Sequence, residues 1–478
     1  MPPTCSQRPN RRIQNLTLCQ PQRRKRNLDG HAGTGPVLHA AGPFGVHQFL
    51  DLCFPGTDRT CLGSTFTGEF QTLWGEVDKA CERKSEELMY PPMRTALQYA
   101  CDVLADMKLP AFRVDYASQQ RLTGEAPVGP GLALQLKDSS EMHWTRALVT
   151  VEAKPDVEQD PFKHDKAEPS SFITWNHFCE SSALVLRARP RCYLLGLGAY
   201  GDTLRFWRCD QSSVMFTEAF EYMAQPELVL EFLYASSVFS GGTMGLDTTV
   251  APGAYDVGDL EILASSCRFA SASGILGKNM NLRAVDLLSE SAVISVPMCD
   301  VDDRLSGNYS PGGDVQVVPN TAKSGASEEE TVERYISVGP ALFTSPSLFG
   351  RGTRTWLAVR ASVLNSERGR VELADFVVIK ETWRHADRLP ESAIYAKVHA
   401  AGPVFGVARA RRGVDLDKGE PQSTHLTWAE RLNKFYGKEQ YSLRIHQRIV
   451  IESIGIPLSQ FRSSRELVEA TRDAMKGE

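Results

Sequence analysis

The sequence predicts a mixed α and β protein with two folded units, an α/β unit followed by a mostly antiparallel sheet with a helix. In the first unit, strand-like FRVDY, GLALQL and RALVTVEAK precede the helical pattern SFITWNHFCESSALVLRA, and the hairpin-like RCYLLGLGAYGDTLRFWRCD follows it. In the last unit, strand-like SLFGRGTRTWLAV, FVVIK and RIVI dominate. In the first unit, strand-like and helix-like hydrophobic patterns alternate, which predicts an α/β architecture. In the last unit, short apolar runs follow one another, which predicts a mostly antiparallel sheet.

The composition is that of an ordinary globular protein, with 42% apolar and 23% charged residues. A formal net charge of -5 gives no strong attraction to nucleic acid or anionic membranes, so we expect neither as a partner. The 11 cysteines form no CxxC pair or Cys/His cluster in the sequence, which predicts neither a zinc site nor a disulfide framework. Without a signal peptide, this pattern favours an intracellular location, cytoplasmic or nuclear.

Composition shifts divide the chain into four predicted segments. Residues 1–38 contain the basic run Arg23–Arg26 and few apolar residues, so we expect a disordered tail. That run is either a nuclear import patch or a solvated basic tail. Residues 39–240 form the α/β domain, residues 241–334 are an irregular region and linker rich in glycine and serine, and residues 335–478 form the last unit.

Three helices are predicted at the start of the α/β domain. The first lies in GPFGVHQFLDLCFP and ends at Pro55. The second runs from Leu73 to Met89 and ends at the Pro91-Pro92 pair. The third runs from Arg94 to about Met107. Proline and the apolar period set these limits.

The strand VTVEAK places two functional side chains on one face, since Glu152 and Lys154 are two residues apart. This Glu-x-Lys resembles the PD-(D/E)xK nuclease core, in which an Asp of the preceding strand and the Glu bind a divalent ion. The sequence has Pro130-Gly131 where that core has Pro-Asp, and Asp115 lies on a different predicted strand. We therefore expect a restriction-endonuclease-like fold that has lost its metal, with an active nuclease as the alternative.

The stretch from Ser347 to Glu391 contains an ordered set of three motifs. Gly350 and Gly352 lie in a turn between strands, where glycine lets the backbone approach a ligand. Lys380 ends the apolar run VVIK and could pair the phosphates of ATP. Glu391 begins a helical segment and could hold Lys380 by an ion pair. Alone, the first two motifs are typical of a β-turn and an edge strand, but in this order they resemble the N-terminal lobe of a protein kinase.

The chain resembles the fungal-type protein kinase family from about Gly42 to the C-terminus. The resemblance lies in GPFGVHQFLDLCFP, VTVEAK, LRFWRCD, SLFGRGTRTW, VVIKETWRHADR and IHQRIVIESIGIPLSQFRSSRELVEATRDA. It implies ATP-dependent phosphorylation of Ser/Thr in a protein substrate, with ATP and Mg²⁺ as cofactors. It further implies that Gly350 and Gly352 cover the phosphates, that Lys380 pairs the α- and β-phosphates, and that Glu391 holds Lys380.

The sequence departs from a kinase in its catalytic motifs. A kinase needs the Asp of HRD near the substrate hydroxyl and the Asp of DFG on magnesium, and neither tripeptide occurs. We therefore expect no catalytic residue and no metal ligand here, weak or absent ATP binding, and either a kinase truncated before its catalytic loop or a non-catalytic, pseudokinase-like binding protein. The last predicted helix, Ser464 to Met475, would then expose Leu467 and Val468.

Overall fold

The computed structural model describes residues 39–62, 68–117, 131–137, 146–163, 169–240, 243–252, 263–266, 291–297, 332–364, 373–404, 406–417, 423–437, 439–455, 461 and 463–476. The predicted basic tail, residues 1–38, lies outside this part of the chain. The described residues form two mostly antiparallel sheets with helices around them, which confirms the predicted mixed α and β class.

The first sheet contains the strands β1 (Ala40–Phe44), β2 (Phe112–Tyr116), β3 (Leu132–Leu136), β4 (Val149–Lys154), β5 (Leu194–Tyr200), β6 (Thr203–Cys209), β7 (Val214–Thr217) and β8 (Phe220–Glu221). Their order is β1-β7-β6-β5-β4-β3-β2, and β8 pairs with β6. The pairs β1/β7 and β4/β5 are parallel, and the other pairs are antiparallel. A helix connects β4 to β5, as a parallel crossover requires.

The helices of this unit are α1 (Val46–Cys53), α2 (Gly68–Cys81), α3 (Glu86–Asp106), α4 (Pro169–Ala188) and α5 (Glu227–Ser240). One apolar core joins α1, α2, α3 and α5 to the sheet, with Trp74 and Phe206 fully buried in it. A second core, which includes Phe178 and Trp207, joins α4 to the sheet. Fully buried strands such as β5, LLGLGAY, are apolar along their whole length because both of their faces are covered.

The second sheet contains β9 (Val250–Pro252), β10 (Ala292–Pro297), β11 (Val332–Ser337), β12 (Phe343–Thr344), β13 (Arg354–Arg360), β14 (Phe376–His385), β15 (Ala410–Asp415) and β16 (Arg444–Ile451). Their order is β15-β16-β14-β13-β11-β10-β9, and β12 pairs with β13. All of these pairs are antiparallel. Its own apolar core includes Trp356, Ile379 and Val450.

The helices of the second unit are α6 (Ala361–Leu364), α7 (Glu391–Val398), α8 (Ala429–Tyr436) and α9 (Ser464–Lys476). Helix α7 lies against β15 at a close approach. A Cβ added at Gly413 of β15 would lie 2.3 Å from the Cβ of Ser392, so glycine is needed there. Residues 464–472 of helix α9 are exposed or partly exposed, and Val468 retains 65% of its accessible surface.

The two sheets are packed together through the end of the second unit. Trp383, Trp428 and Leu432 belong to the apolar core of the first sheet. The guanidinium of Arg354 donates to the carbonyl oxygens of Leu186 and Arg187 at 3.1 and 2.9 Å, which satisfies carbonyls in the last turn of α4. The second sheet is therefore positioned by contacts from both α4 and α8.

The observed helix limits differ from the predicted ones in the α2–α3 region. Helix α2 ends at Cys81, and Lys84 has a left-handed φ of 54° before α3 begins at Glu86. Pro91 and Pro92 lie inside α3, so the prediction that the proline pair ends a helix is wrong. Helix α3 continues because Met89 and Met93 bury one face on both sides of the prolines, which offsets the lost backbone hydrogen bonds.

The predicted irregular region, 241–334, contributes to the second sheet. Strands β9 and β10 lie within it, and β11 crosses the predicted boundary between residues 334 and 335. The sheet thus takes strands from both sides of that boundary, while the domain limits themselves stay a prediction. None of the helices in the described part of the chain combines the length and the apolar character that a membrane crossing needs.

Candidate functional site

Lys380 and Glu391 form an ion pair at one face of the second sheet. The Nζ of Lys380 donates to both carboxylate oxygens of Glu391, at 2.7 Å each. Lys380 lies in the middle of β14, between Thr355 of β13 and Ile449 of β16. The lysine side chain is 25% exposed and the glutamate 29%. The ammonium is therefore fixed by a carboxylate and still reaches solvent.

The local sequence explains why Glu391 meets the strand. It is the first residue of α7, directly after Pro390, and a carboxylate in the first turn is favoured by the helix dipole. Its backbone N–H donates to the Oε1 of Gln447 on β16 at 3.2 Å. The hydroxyl of Tyr395, one turn later, donates to the Oε1 of Glu391 at 3.3 Å. The start of the helix is thus tied to the sheet.

A second ion pair on β14 supports this arrangement. Arg384 contacts both carboxylate oxygens of Asp415 on β15, with its Nε donating at 3.0 Å. The Nε2 of Gln447 donates to the same carboxylate at 3.2 Å. Gln447 therefore links Asp415 to the start of α7, and the network spans β14, β15 and β16. Such bidentate contacts fix orientation as well as distance.

The glycine loop before β13 lies against the first sheet. Gly350 and Gly352 have φ values of 129° and 49°, which glycine alone adopts readily. The N–H of Gly350 donates to the carbonyl oxygen of Gln211 at 2.8 Å, and a Cβ at Gly352 would lie 2.6 Å from the Gln211 side chain. The N–H of Trp383 donates to the carbonyl oxygen of Arg351 at 2.7 Å. In this conformation the loop packs against Gln211, and the N–H of Gly350 is not free to donate to a phosphate.

A second lysine with glutamate partners lies on the first sheet. The Nζ of Lys154 lies 2.7 Å from the Oε2 of Glu86 and 2.7 Å from the Oε1 of Glu152. Burial raises the pKa of Glu152 despite the charge of Lys154. Burial lowers the pKa of Lys154, but the two carboxylates outweigh it, so the pKa of Lys154 lies above its usual value. One largely buried ammonium is thus shared by two carboxylates, of which Glu152 is 23% exposed and Glu86 is 39% exposed.

A tyrosine ring fills the space beside Gly131, the position at which the PD-(D/E)xK core has its aspartate. Gly131 directly precedes β3, whose Leu132 pairs with Val151, so Gly131 lies beside Glu152. A Cβ at Gly131 would lie 1.9 Å from the ring of Tyr90. Burial and the nearby carboxylates raise the pKa of Tyr90 well above its usual value, and its hydroxyl donates to the Oε1 of Glu86 at 2.8 Å. A neutral phenol therefore occupies the space that an aspartate at position 131 would need.

Asp115, the conceivable substitute ligand, has other partners. It lies on β2, which is separated from β4 by β3. Its carboxylate accepts from the Nε2 of Gln135 at 2.8 Å and from the Nε of Arg113 at 2.5 Å. The structure thus brings Glu152 and Lys154 together with Glu86, and places Asp115 in a separate ion pair.

Sequence reasoning missed a buried polar group on the opposite face of β14. Arg448 of β16 is fully buried, and its guanidinium contacts Glu381 of β14 and Asp247. Burial opposes ionisation of Glu381, but the charge of Arg448 prevails and lowers the pKa of that carboxyl. His446 and His425 lie beside these groups, and burial lowers the pKa of His425 to about 4. No spacing motif could reveal this group, because its members are up to 201 residues apart in the chain.

Residues 310–478 match a protein-family model described as Fungal protein kinase. The match covers about a third of the chain, including β11–β16 and α7, and it confirms the resemblance inferred from the sequence. Three segments on which the resemblance was also based lie outside the matched residues: GPFGVHQFLDLCFP, VTVEAK and LRFWRCD. No curated protein and no solved structure matches this chain.

Proposed function

Since residues 310–478 resemble fungal protein kinases, we propose that β11–β16 and α7 form the nucleotide-facing lobe of a kinase-like protein. The observation that supports this most directly is the bidentate contact between Lys380 and Glu391. Protein kinases need this kind of ion pair, between a strand lysine and a helix glutamate, to hold ATP productively. In this proposal Lys380 pairs phosphate oxygens, and Glu391 keeps the ammonium oriented.

The residues present suit only part of a kinase site. Lys380 is fixed and reaches solvent, but Gly350 would have to release Gln211 before its amide could approach a phosphate. Bound Mg²⁺ would neutralise phosphate charge, yet the 478 residues contain no DFG aspartate and no HRD aspartate. We therefore propose weak nucleotide binding through Lys380 and a role in binding, as in a pseudokinase, and assign no phosphoryl transfer to these residues alone.

Covalent labelling with an ATP acyl-phosphate tests the nucleotide site. The probe transfers its acyl group to a lysine amine that lies beside bound phosphates, so we expect labelling of Lys380, identified by peptide mass spectrometry and reduced by excess ATP. Glu391→Gln should weaken that labelling about tenfold, because the ammonium loses its orienting carboxylate. The exposed Lys397 of α7 provides the matched control, and Lys397→Met should leave the labelling of Lys380 unchanged.

Two outcomes would contradict the proposal. Labelling of Lys380 that excess ATP does not reduce would show reaction with an accessible amine and no nucleotide site. Equal labelling in Glu391→Gln and in the unmodified chain would show that the ion pair has no part in positioning the phosphates.

A second candidate function has an observation in its favour. The order α3-β2-β3-β4-α4-β5, with β4 and β5 parallel, presents Glu152 and Lys154 at the end of the interior strand β4. We propose that this unit has a nuclease-like arrangement whose metal site is closed by Tyr90 and by the second carboxylate on Lys154. Incubation with DNA and Mg²⁺ or Mn²⁺ should give no cleavage. Cleavage that Glu152→Ala abolishes would overturn this proposal in favour of an active nuclease.

A further inference from the structure

We propose that Cys192, His425 and His446, together called the Cys–His cluster, bind a zinc ion between the two sheets. Cys192 lies just before β5 of the first sheet, His446 lies on β16 of the second sheet, and His425 lies in the segment before α8. The Sγ of Cys192 and one ring nitrogen of each histidine all lie within 4.8 Å of one another.

The distances within the cluster suit tetrahedral zinc. The Sγ of Cys192 lies 3.6 Å from the Nδ1 of His425, which in turn lies 3.0 Å from the Nδ1 of His446. Zinc bonds of about 2.3 Å to sulfur and about 2.05 Å to nitrogen give ligand separations of roughly 3.5 Å for S···N and roughly 3.3 Å for N···N. Small rotations of the side chains would therefore bring all three donors to one ion.

The outer sides of both rings face carboxylates. The Nε2 of His446 lies 3.7 Å from the Oε2 of Glu381, and the Nε2 of His425 lies 4.0 Å from the Oδ1 of Asp247. Metal-bound histidines commonly direct their second nitrogen at such a group. Arg448 holds both carboxylates in place, with its Nη2 3.1 Å from the Oδ2 of Asp247. Trp383 stacks on His446 at 4.5 Å between ring centroids and fixes the plane of that ring.

The donor atoms of the three side chains converge on one place. The Nδ1 atoms of His425 and His446 lie 3.0 Å apart, a separation that one shared proton or one metal ion could bridge. The Nδ1 of His446 also lies 4.0 Å from the Oδ2 of Asp247, so a cation there would have a carboxylate nearby. A shared proton would engage two ring nitrogens, whereas the Sγ of Cys192 adds a third donor atom at the same place, as a metal ion requires.

Zinc is the ion that this donor set favours. Thiolate and imidazole are the ligands that zinc takes in proteins, and magnesium or calcium would require oxygen donors. Three protein ligands leave a fourth position for water or another small ligand. Because the ligands come from both units, the ion would link the first sheet to the second and stabilise their packing.

Metal analysis of the full chain tests the proposal. After expression with zinc and transfer to metal-free buffer, mass spectrometry of the metals should find about one zinc ion per chain. Cys192→Ser should lose most of this zinc. Cys101→Ser provides the matched control, since Cys101 is also a buried free cysteine and lies in α3 outside the cluster, and it should keep the zinc.

A spectroscopic measurement on the unmodified chain tests the site even if Cys192→Ser does not fold. Replacing zinc by Co²⁺ should give a near-ultraviolet thiolate charge-transfer band and intense visible bands of tetrahedral cobalt. Removal of the ion by a chelator should lower the melting temperature, and zinc should restore it. A chain that holds no zinc and gives no cobalt–thiolate band overturns the proposal, as does zinc retained in folded Cys192→Ser. Copper in place of zinc would overturn the zinc assignment.

Discussion

Lys154 on the first sheet and Lys380 on the second occupy comparable positions, with very different surroundings. Each is a strand lysine that pairs with a glutamate at the first residue of a helix, Glu86 of α3 and Glu391 of α7. The side chain of Lys154 is 11% exposed and contacts a second carboxylate, whereas Lys380 is 25% exposed and contacts one. The same local motif can thus form a closed structural ion pair or a site that reaches solvent.

The difference lies in what the neighbouring elements place beside the lysine. At Lys154, Tyr90 of α3 fills the space next to Glu152, and Glu152 itself forms a second ion pair with the ammonium. At Lys380, both carboxylate oxygens of Glu391 accept hydrogen bonds from the ammonium. Its neighbours on the flanking strands are Thr355 and Ile449, which carry no charge. The two lysines therefore differ in how much space their neighbours leave for a ligand.

The largest effect is expected from introducing an aspartate beside the Tyr90 ring. Gly131→Asp should destabilise the chain by about 3 kcal/mol, because its Cβ would overlap the Tyr90 ring at 1.9 Å. The free energy of unfolding in urea measures this. Adding Tyr90→Ala should recover part of the loss, since it removes the obstructing ring. Gly455→Ala is the control, because a Cβ there meets nothing within 4 Å. An unchanged stability in Gly131→Asp would contradict the closed arrangement.

The second prediction compares the two lysines directly. Lys154→Met should lower the free energy of unfolding by about 2 kcal/mol, because Glu86 and Glu152 lose the cation that they share, whose side chain is only 11% exposed. Lys380→Met should lower it by about 1 kcal/mol or less, since both members of that pair reach water. Urea titration of both variants at one pH gives the comparison. Equal losses would show that exposure does not separate the two sites.

A small effect is also expected where α7 meets β15. Gly413→Ala should cost about 1 kcal/mol, because the new methyl group would lie 2.3 Å from the Cβ of Ser392 and displace the start of α7. The same displacement should separate Glu391 from Lys380, so labelling of Lys380 by the ATP probe should fall together with stability. Ser392→Gly in addition should restore the labelling. If Gly413→Ala leaves the labelling intact, the position of α7 does not govern the ion pair.

The sequence was sufficient to predict the ion pair on the second sheet, but it was not sufficient to predict the contacts of the glycine loop. The order of VVIK and a helical Glu391 predicted a contact that the structure has at 2.7 Å, since both residues lie on regular elements that follow each other closely. The role of Gly350 and Gly352 depends on Gln211, more than 130 residues earlier, and no local pattern indicates that contact. The assignment of all four residues to a nucleotide remains a proposal.

By itself, the sequence determined the mixed α and β class, the resemblance of the last third to fungal protein kinases, and the strand positions of Lys154 and Lys380. These properties follow from side-chain period and from motifs of a few residues, which act over short stretches. Only the tertiary structure decided that the Tyr90 ring lies against Gly131 and that Cys192, His425 and His446 converge between the sheets. The reason is physical: such contacts arise from the packing of elements that are distant in the chain, and local sequence does not specify which of them meet.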